Sequence, residues 1–182
     1  MRFHHTCLAA VGLALASCSA PDEHANPPPT AGKVDLGRYA GRWHEIARLP
    51  APFQKDDESA IAEYGMNADG TVSVHNIAVR ADGARRGIKG YAKVLNPPEN
   101  TKLAVRFQTW FAPFIPVPAV GNYWIFHVDG NYQEAIVGTP DRRFLWLLSR
   151  SPRISAHRKA ALVARAESLG FDVARLVTTQ RQ

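Results

Sequence analysis

The chain is 182 residues long and 46% hydrophobic, and its 22 basic and 16 acidic side chains give a formal charge of +6. Such a chain is one domain of ordinary size with enough apolar residues for a real core. Its two cysteines, Cys7 and Cys18, both precede residue 20, which excludes a disulfide-stapled scaffold and leaves the domain to hold by packing alone.

The first element in chain order is a leader. Met1-Arg2 is followed by the apolar run Cys7 to Ala16, too short for a membrane span and right for a signal-peptide core. Leu15-Ala16-Ser17-Cys18 resembles a bacterial lipobox, in which cleavage leaves the cysteine N-terminal and acylated. Residues 1–17 are expected to be removed and Cys18 to carry lipid, since stable anchoring needs at least two acyl signals and a multiply acylated cysteine supplies them. Ser19 stands where Asp would signal inner-membrane retention in the lipoproteins it resembles. The expected address is therefore the periplasmic face of the outer membrane. Residues 18–33, with Pro27-Pro28-Pro29 at their centre, lack apolar periodicity and read as a semi-rigid tether. The folded domain is expected over 34–182.

From Tyr39 onward the signals are strand-like. A first strand runs through Ile46-Ala47, a second over Ser59 to Met66 and a third over Thr71 to Arg80, with Asp69-Gly70 as the tight turn between the last two. A fourth runs through Ile88 to Val94, Asn96-Pro97-Pro98 breaks it, and Thr101 to Gln108 is a fifth. Gly121 to Asp129, Tyr132 to Gly138 and Arg143 to Arg150 make the sixth, seventh and eighth. Eight short strands joined mostly by turns predict an all-β, up-and-down antiparallel sheet, and eight is the number at which such a sheet closes into a barrel around one small ligand. Ser155 to Leu169 is rich in helix formers and stops at Gly170, which predicts one helix packed outside the barrel. Phe171 to Thr178 reads as a short final strand.

Three segments carry a family resemblance. Gly41-x-Trp43, Asp129-Gly130-Asn131-Tyr132 and Leu148-Ser149-Arg150 resemble the three conserved segments of lipocalins. The phrases WHEIARL (43–49), NYWIFHVD (122–129) and FLWLLSRSP (144–152) are similar to those of bacterial outer-membrane lipocalins, relatives of apolipoprotein D. Strand counting agrees: odd strands start, and even strands end, at one rim of an up-and-down barrel. Gly41, Trp43, Asp129, Tyr132 and Arg150 are thus expected to form a barrel floor, with the Arg150 cation over the Trp43 indole. His44 and Glu45 do not read as a metal pair, because neighbours on a strand point to opposite faces and the second histidine of an H-E-x-x-H helix is missing.

Period-two alternation predicts the cavity lining. It names Val72, Val74 and Asn76 in the third strand; Ile88, Gly90, Ala92 and Val94 in the fourth; Leu103, Val105 and Phe107 in the fifth; Ala135 and Val137 in the seventh. The opposite rim is the expected mouth. There Phe53, Trp110, Phe111 and Phe114 offer apolar surface, while Lys55, Arg85, Arg86, Arg142 and Arg143 could meet an anionic head group. The 109–120 connection is several residues longer than in the family it resembles. The resemblance implies a carrier of one fatty acid or lysophospholipid, serving lipid storage, transport or membrane maintenance. No catalysis, cofactor, metal or nucleic acid is expected, and a homodimer stays open. Two alternatives stand beside this reading: a lipocalin-fold enzyme acting on a hydrophobic substrate, and a tetrapyrrole-binding barrel.

Overall fold

The computed structural model describes residues 26–109 and 121–179. The expected leader, Cys18 and the first part of the expected tether lie outside them, as do Trp110, Phe111 and Phe114.

Eight strands form the barrel: β1 Gly41–Arg48, β2 Ser59–Met66, β3 Val72–Val79, β4 Arg85–Val94, β5 Lys102–Phe107, β6 Tyr123–Val128, β7 Glu134–Gly138 and β8 Leu145–Ser149. Each pairs antiparallel with its sequence neighbour, and β1 pairs with both β2 and β8, which closes the sheet. A ninth strand, β9 Val177–Thr178, adds to the outside of β1 at Ala47 and Arg48. The fold is the expected eight-stranded up-and-down barrel, and closure leaves no sticky edge within it.

Alternation along the strands builds two cores. Inward residues such as Val72, Val74, Ala92, Leu103, Val105 and Val137 make the inner one. Outward Ile46, Leu49, Trp124, Phe126, Leu145 and Leu147 make the second, against the helix α2 Ala156–Ser168 and Phe171. In α2 the buried residues are Leu162 and Ala166, four apart on one face. Ser155 caps the helix, its Oγ accepting from Arg158 N at 3.3 Å.

The weakest seam is β5 to β6, where only Lys102↔Trp124 and Leu103↔Tyr123 pair. Asn122 extends the ladder with its side chain: Oδ1 accepts from Val105 N at 2.8 Å and Nδ2 donates to Val105 O at 3.0 Å. An amide side chain thus stands in for one residue of backbone.

Several boundaries differ from the sequence expectation. Tyr132 and Arg142 have φ of 59° and 60°, a left-handed geometry that holds them in turns, so β7 and β8 begin two residues later. Within 171–178, Val173–Arg175 form a short 3-10 turn and only Val177–Thr178 pairs as strand. A one-turn helix, α1 Leu36–Tyr39, precedes β1 and is capped by Asp35, whose side chain accepts from Arg38 N. Residues 26–33 do not stand off as a tether, since Pro28 is fully buried and Ala31 N donates to Ile125 O at 2.9 Å.

Candidate functional site

One end of the barrel is sealed. Gly41 has φ +98°, and a Cβ there would press on Arg150 Nη1; only glycine lets the chain turn into β1 under that guanidinium. Arg150 lies 3.9 Å over the Trp43 ring, an arrangement that contributes roughly 0.5–2 kcal/mol. Its Nε donates to Tyr132 O, its Nη1 to Arg42 O, and its Nη2 to the carbonyls of Arg38, Tyr39 and Ala40. The fully buried Trp43 donates from Nε1 to Tyr39 O at 2.8 Å.

Asp129 organises the turn beneath. Its Oδ1 accepts from Gln133 N and Glu134 N, both at 2.6 Å, and its Oδ2 from Asn131 N at 3.2 Å. That turn sets Tyr132 where its hydroxyl accepts from Asp35 N and its ring carries the Arg38 guanidinium at 4.1 Å. The five floor residues named by the sequence therefore meet at one end.

Above the floor is a cavity of about 870 Å³, within the size range of small-molecule sites. Val72, Val74, Asn76, Ile88, Ala92, Leu103, Val105, Phe107 and Val137 lie on its wall. Three expected lining residues do not. At Gly90 the strands β4 and β5 approach so closely that a Cβ would collide with the Arg106 carbonyl. Ala135 is fully buried within the inner core, and Val94 packs against that core. Neither lines the void.

The sequence reading missed much of the polar wall. Tyr39, Tyr64 and Tyr123 all line the cavity. Tyr123 Oη is 2.7 Å from Tyr39 Oη and 3.1 Å from Tyr64 Oη, while the Tyr39 ring packs at a tilt against Trp43, centroids 5.1 Å apart. Burial pushes the Tyr64 hydroxyl up to about 12 and the other two well above their ordinary value, so all three remain neutral O–H groups. Glu45 also lines the wall at 3% exposure. Gln54 Nε2 donates to both its oxygens, at 2.9 and 3.2 Å, and Arg48 Nε lies 3.6 Å away. Burial raises the Glu45 carboxyl above the usual range, against the lowering by Gln54. Alternation along β1 and β2 was the signal available for Glu45 and Tyr64. Nothing in the spacing of 39, 64 and 123 announces their convergence.

At the mouth, Phe53 is 57% exposed, with its ring 5.5 Å from Phe144 and 6.4 Å from Trp146. The expected basic cluster does not converge. Arg86 lines the cavity, held by Glu58 at 2.6 Å, but Arg85 is exposed and alternates away from the wall. Arg142 is committed elsewhere, donating to Leu169 O at the end of α2 and to Asn26 O; a cation at a helix C-terminus is favourable. Arg143 pairs loosely with Asp141 at 3.9 Å. The fully buried Arg48 ties the mouth loop down instead, donating to the carbonyls of Leu49, Gln54 and Lys55. Among the described residues, no group of three or more His, Cys, Asp or Glu is placed to hold a metal.

Residues 34–181 match the lipocalin-like domain family model, and the chain belongs to that family. It is 38% identical to temperature-induced lipocalin-1 of Arabidopsis thaliana over 149 residues, 80% of this chain and 78% of that one. It is 33% identical to the outer membrane lipoprotein Blc of Escherichia coli K12 over 177 residues, covering 95% and 93% of the two chains. Among solved structures, insecticyanin from the tobacco hornworm Manduca sexta superposes with a TM-score of 0.59 at 20% identity, covering 86% of this chain and 85% of that one. That likeness carries the fold alone.

Proposed function

We propose that this lipocalin is an outer-membrane lipoprotein that carries one fatty acid or lysophospholipid in its barrel. The observation that carries the proposal is a floor-sealed cavity of about 870 Å³ walled mostly by apolar side chains, aliphatic and aromatic. A lipid chain gains roughly 0.8 kcal/mol per buried methylene, and micromolar affinity needs about 8 kcal/mol net. A sixteen-carbon chain, at about 12 kcal/mol gross by the same measure, leaves several kcal/mol for the cost of ordering it. The charged head stays at the mouth, where Arg86 and Lys89 line the opening.

Near full-length similarity to the outer membrane lipoprotein Blc supports the membrane address, as does the Leu15-Ala16-Ser17-Cys18 segment. The anchor is the acylated Cys18, on the periplasmic face of the membrane. Metabolic labelling with radioactive palmitate checks it: the chain takes up label and the Cys18→Ser variant does not. Fluorescence titration with palmitate and lysophosphatidic acid tests the cavity. Saturable binding near micromolar concentration, abolished by Ala92→Trp, is the expected result.

A further inference from the structure

The head-group end of the cavity has cations, but its deep end is not a plain hydrocarbon pocket. Tyr39, Tyr64 and Tyr123 bring three hydroxyls together directly above the Trp43 floor. Three O–H groups share two O···O contacts, so at least one proton has no partner among the described residues. Tyr64 and Tyr123 are only partly buried, and both line the void, so their hydroxyls are within a ligand's reach. Resting on the carrier reading, we infer that the cavity selects lipids with a neutral oxygen, a hydroxyl or a keto group, at the far end of the chain.

The chemistry favours a neutral oxygen over the acid head itself. The cations among the described lining residues, Arg86, Lys89 and Arg106, stand on the mouth halves of β4 and β5, and Arg150, over the Trp43 ring, does not line the void and is committed to five carbonyls. An ionised carboxylate buried there would be uncompensated. A hydroxyl instead accepts the spare O–H and donates to a phenol oxygen. A methyl end leaves that donor unpaired, and leaving a buried donor unmade is the costly case.

Affinities for saturated C12, C14 and C16 acids and their ω-hydroxy counterparts test this. The protein is the chain from residue 18 onward with Cys18→Ser, so that no acyl anchor competes for the cavity. At the length that reaches the triad, the ω-hydroxy acid binds roughly fivefold tighter than its methyl-ended partner. In the isosteric triple variant Tyr39→Phe/Tyr64→Phe/Tyr123→Phe that preference reverses while methyl-ended acids still bind. If the methyl-ended acid binds as well or better at every length in the unsubstituted barrel, the inference falls, and this comparison needs no variant. If no acid of either kind binds, the carrier reading falls and takes the inference with it.

Discussion

Arg150 holds the closed end by reaching five backbone carbonyls drawn from two stretches of chain, at 38, 39, 40 and 42 and at 132. Only a planar guanidinium offers that many donors in a fixed fork, so lysine is no conservative replacement. Arg150→Lys is expected to lower stability by about 1–3 kcal/mol, because three partly buried carbonyls lose charged donors; urea unfolding measures it. Glu45 gives a pH signature. Its carboxyl is raised by burial, so between its ordinary value and the raised one the folded state keeps a proton that the unfolded chain has released. Stability from Glu45 is therefore present at low pH and lost as pH rises through the folded value. Glu45→Gln removes that dependence: relative to the unsubstituted protein it gains more stability at pH 7 than at pH 4. An equal change at both pH values would contradict the assignment. The opening Gly-x-Trp-His-Glu run is thus resolved residue by residue: Trp43 plugs, Glu45 lines, and His44 sits half-buried on the other face of β1.

The strands themselves were legible because period-two alternation and turn residues are local. Asp69-Gly70 shows why: Asp69 Oδ1 accepts from Thr71 N at 2.9 Å and Gly70 takes φ +80°, which a four-residue window already contains. Where the sequence reading failed, the cause was distant. Arg142 looked like a mouth cation until α2 placed the Leu169 carbonyl beside it. Gly90 looked like cavity space until β5 came within collision distance of its missing Cβ. The tyrosine triad joins α1, β2 and β6, whose meeting depends on barrel closure and not on spacing. The β5–β6 seam is the element on which closure is thinnest. Asn122→Ala removes both bonds to Val105 and is expected to cost about 1–3 kcal/mol. Hydrogen exchange at the Val105 amide should accelerate well beyond that of the inner β3–β4 ladder.

At the scale of the molecule, a sealed floor, an outer helix and a hollow interior divide the work. Stability comes from the outer core between barrel and α2 and from the floor cluster, which frees the barrel interior to stay partly empty. Filling it should therefore abolish binding without unfolding the chain. Ala92, almost fully buried between Val72 and Val105 on the wall, is the position for that. Ala92→Trp is expected to cost only about 1–3 kcal/mol in stability while eliminating palmitate binding, with far-UV circular dichroism unchanged.

The most direct measurement is native mass spectrometry, followed by lipid extraction, on the Cys18→Ser chain from residue 18 purified without detergent. A co-purifying species with the mass of one single-chain lipid, absent from the Ala92→Trp variant, is the predicted result. A barrel that stays empty, and that also fails to take up added fatty acid or lysophospholipid, would contradict the account of this protein as a lipid carrier.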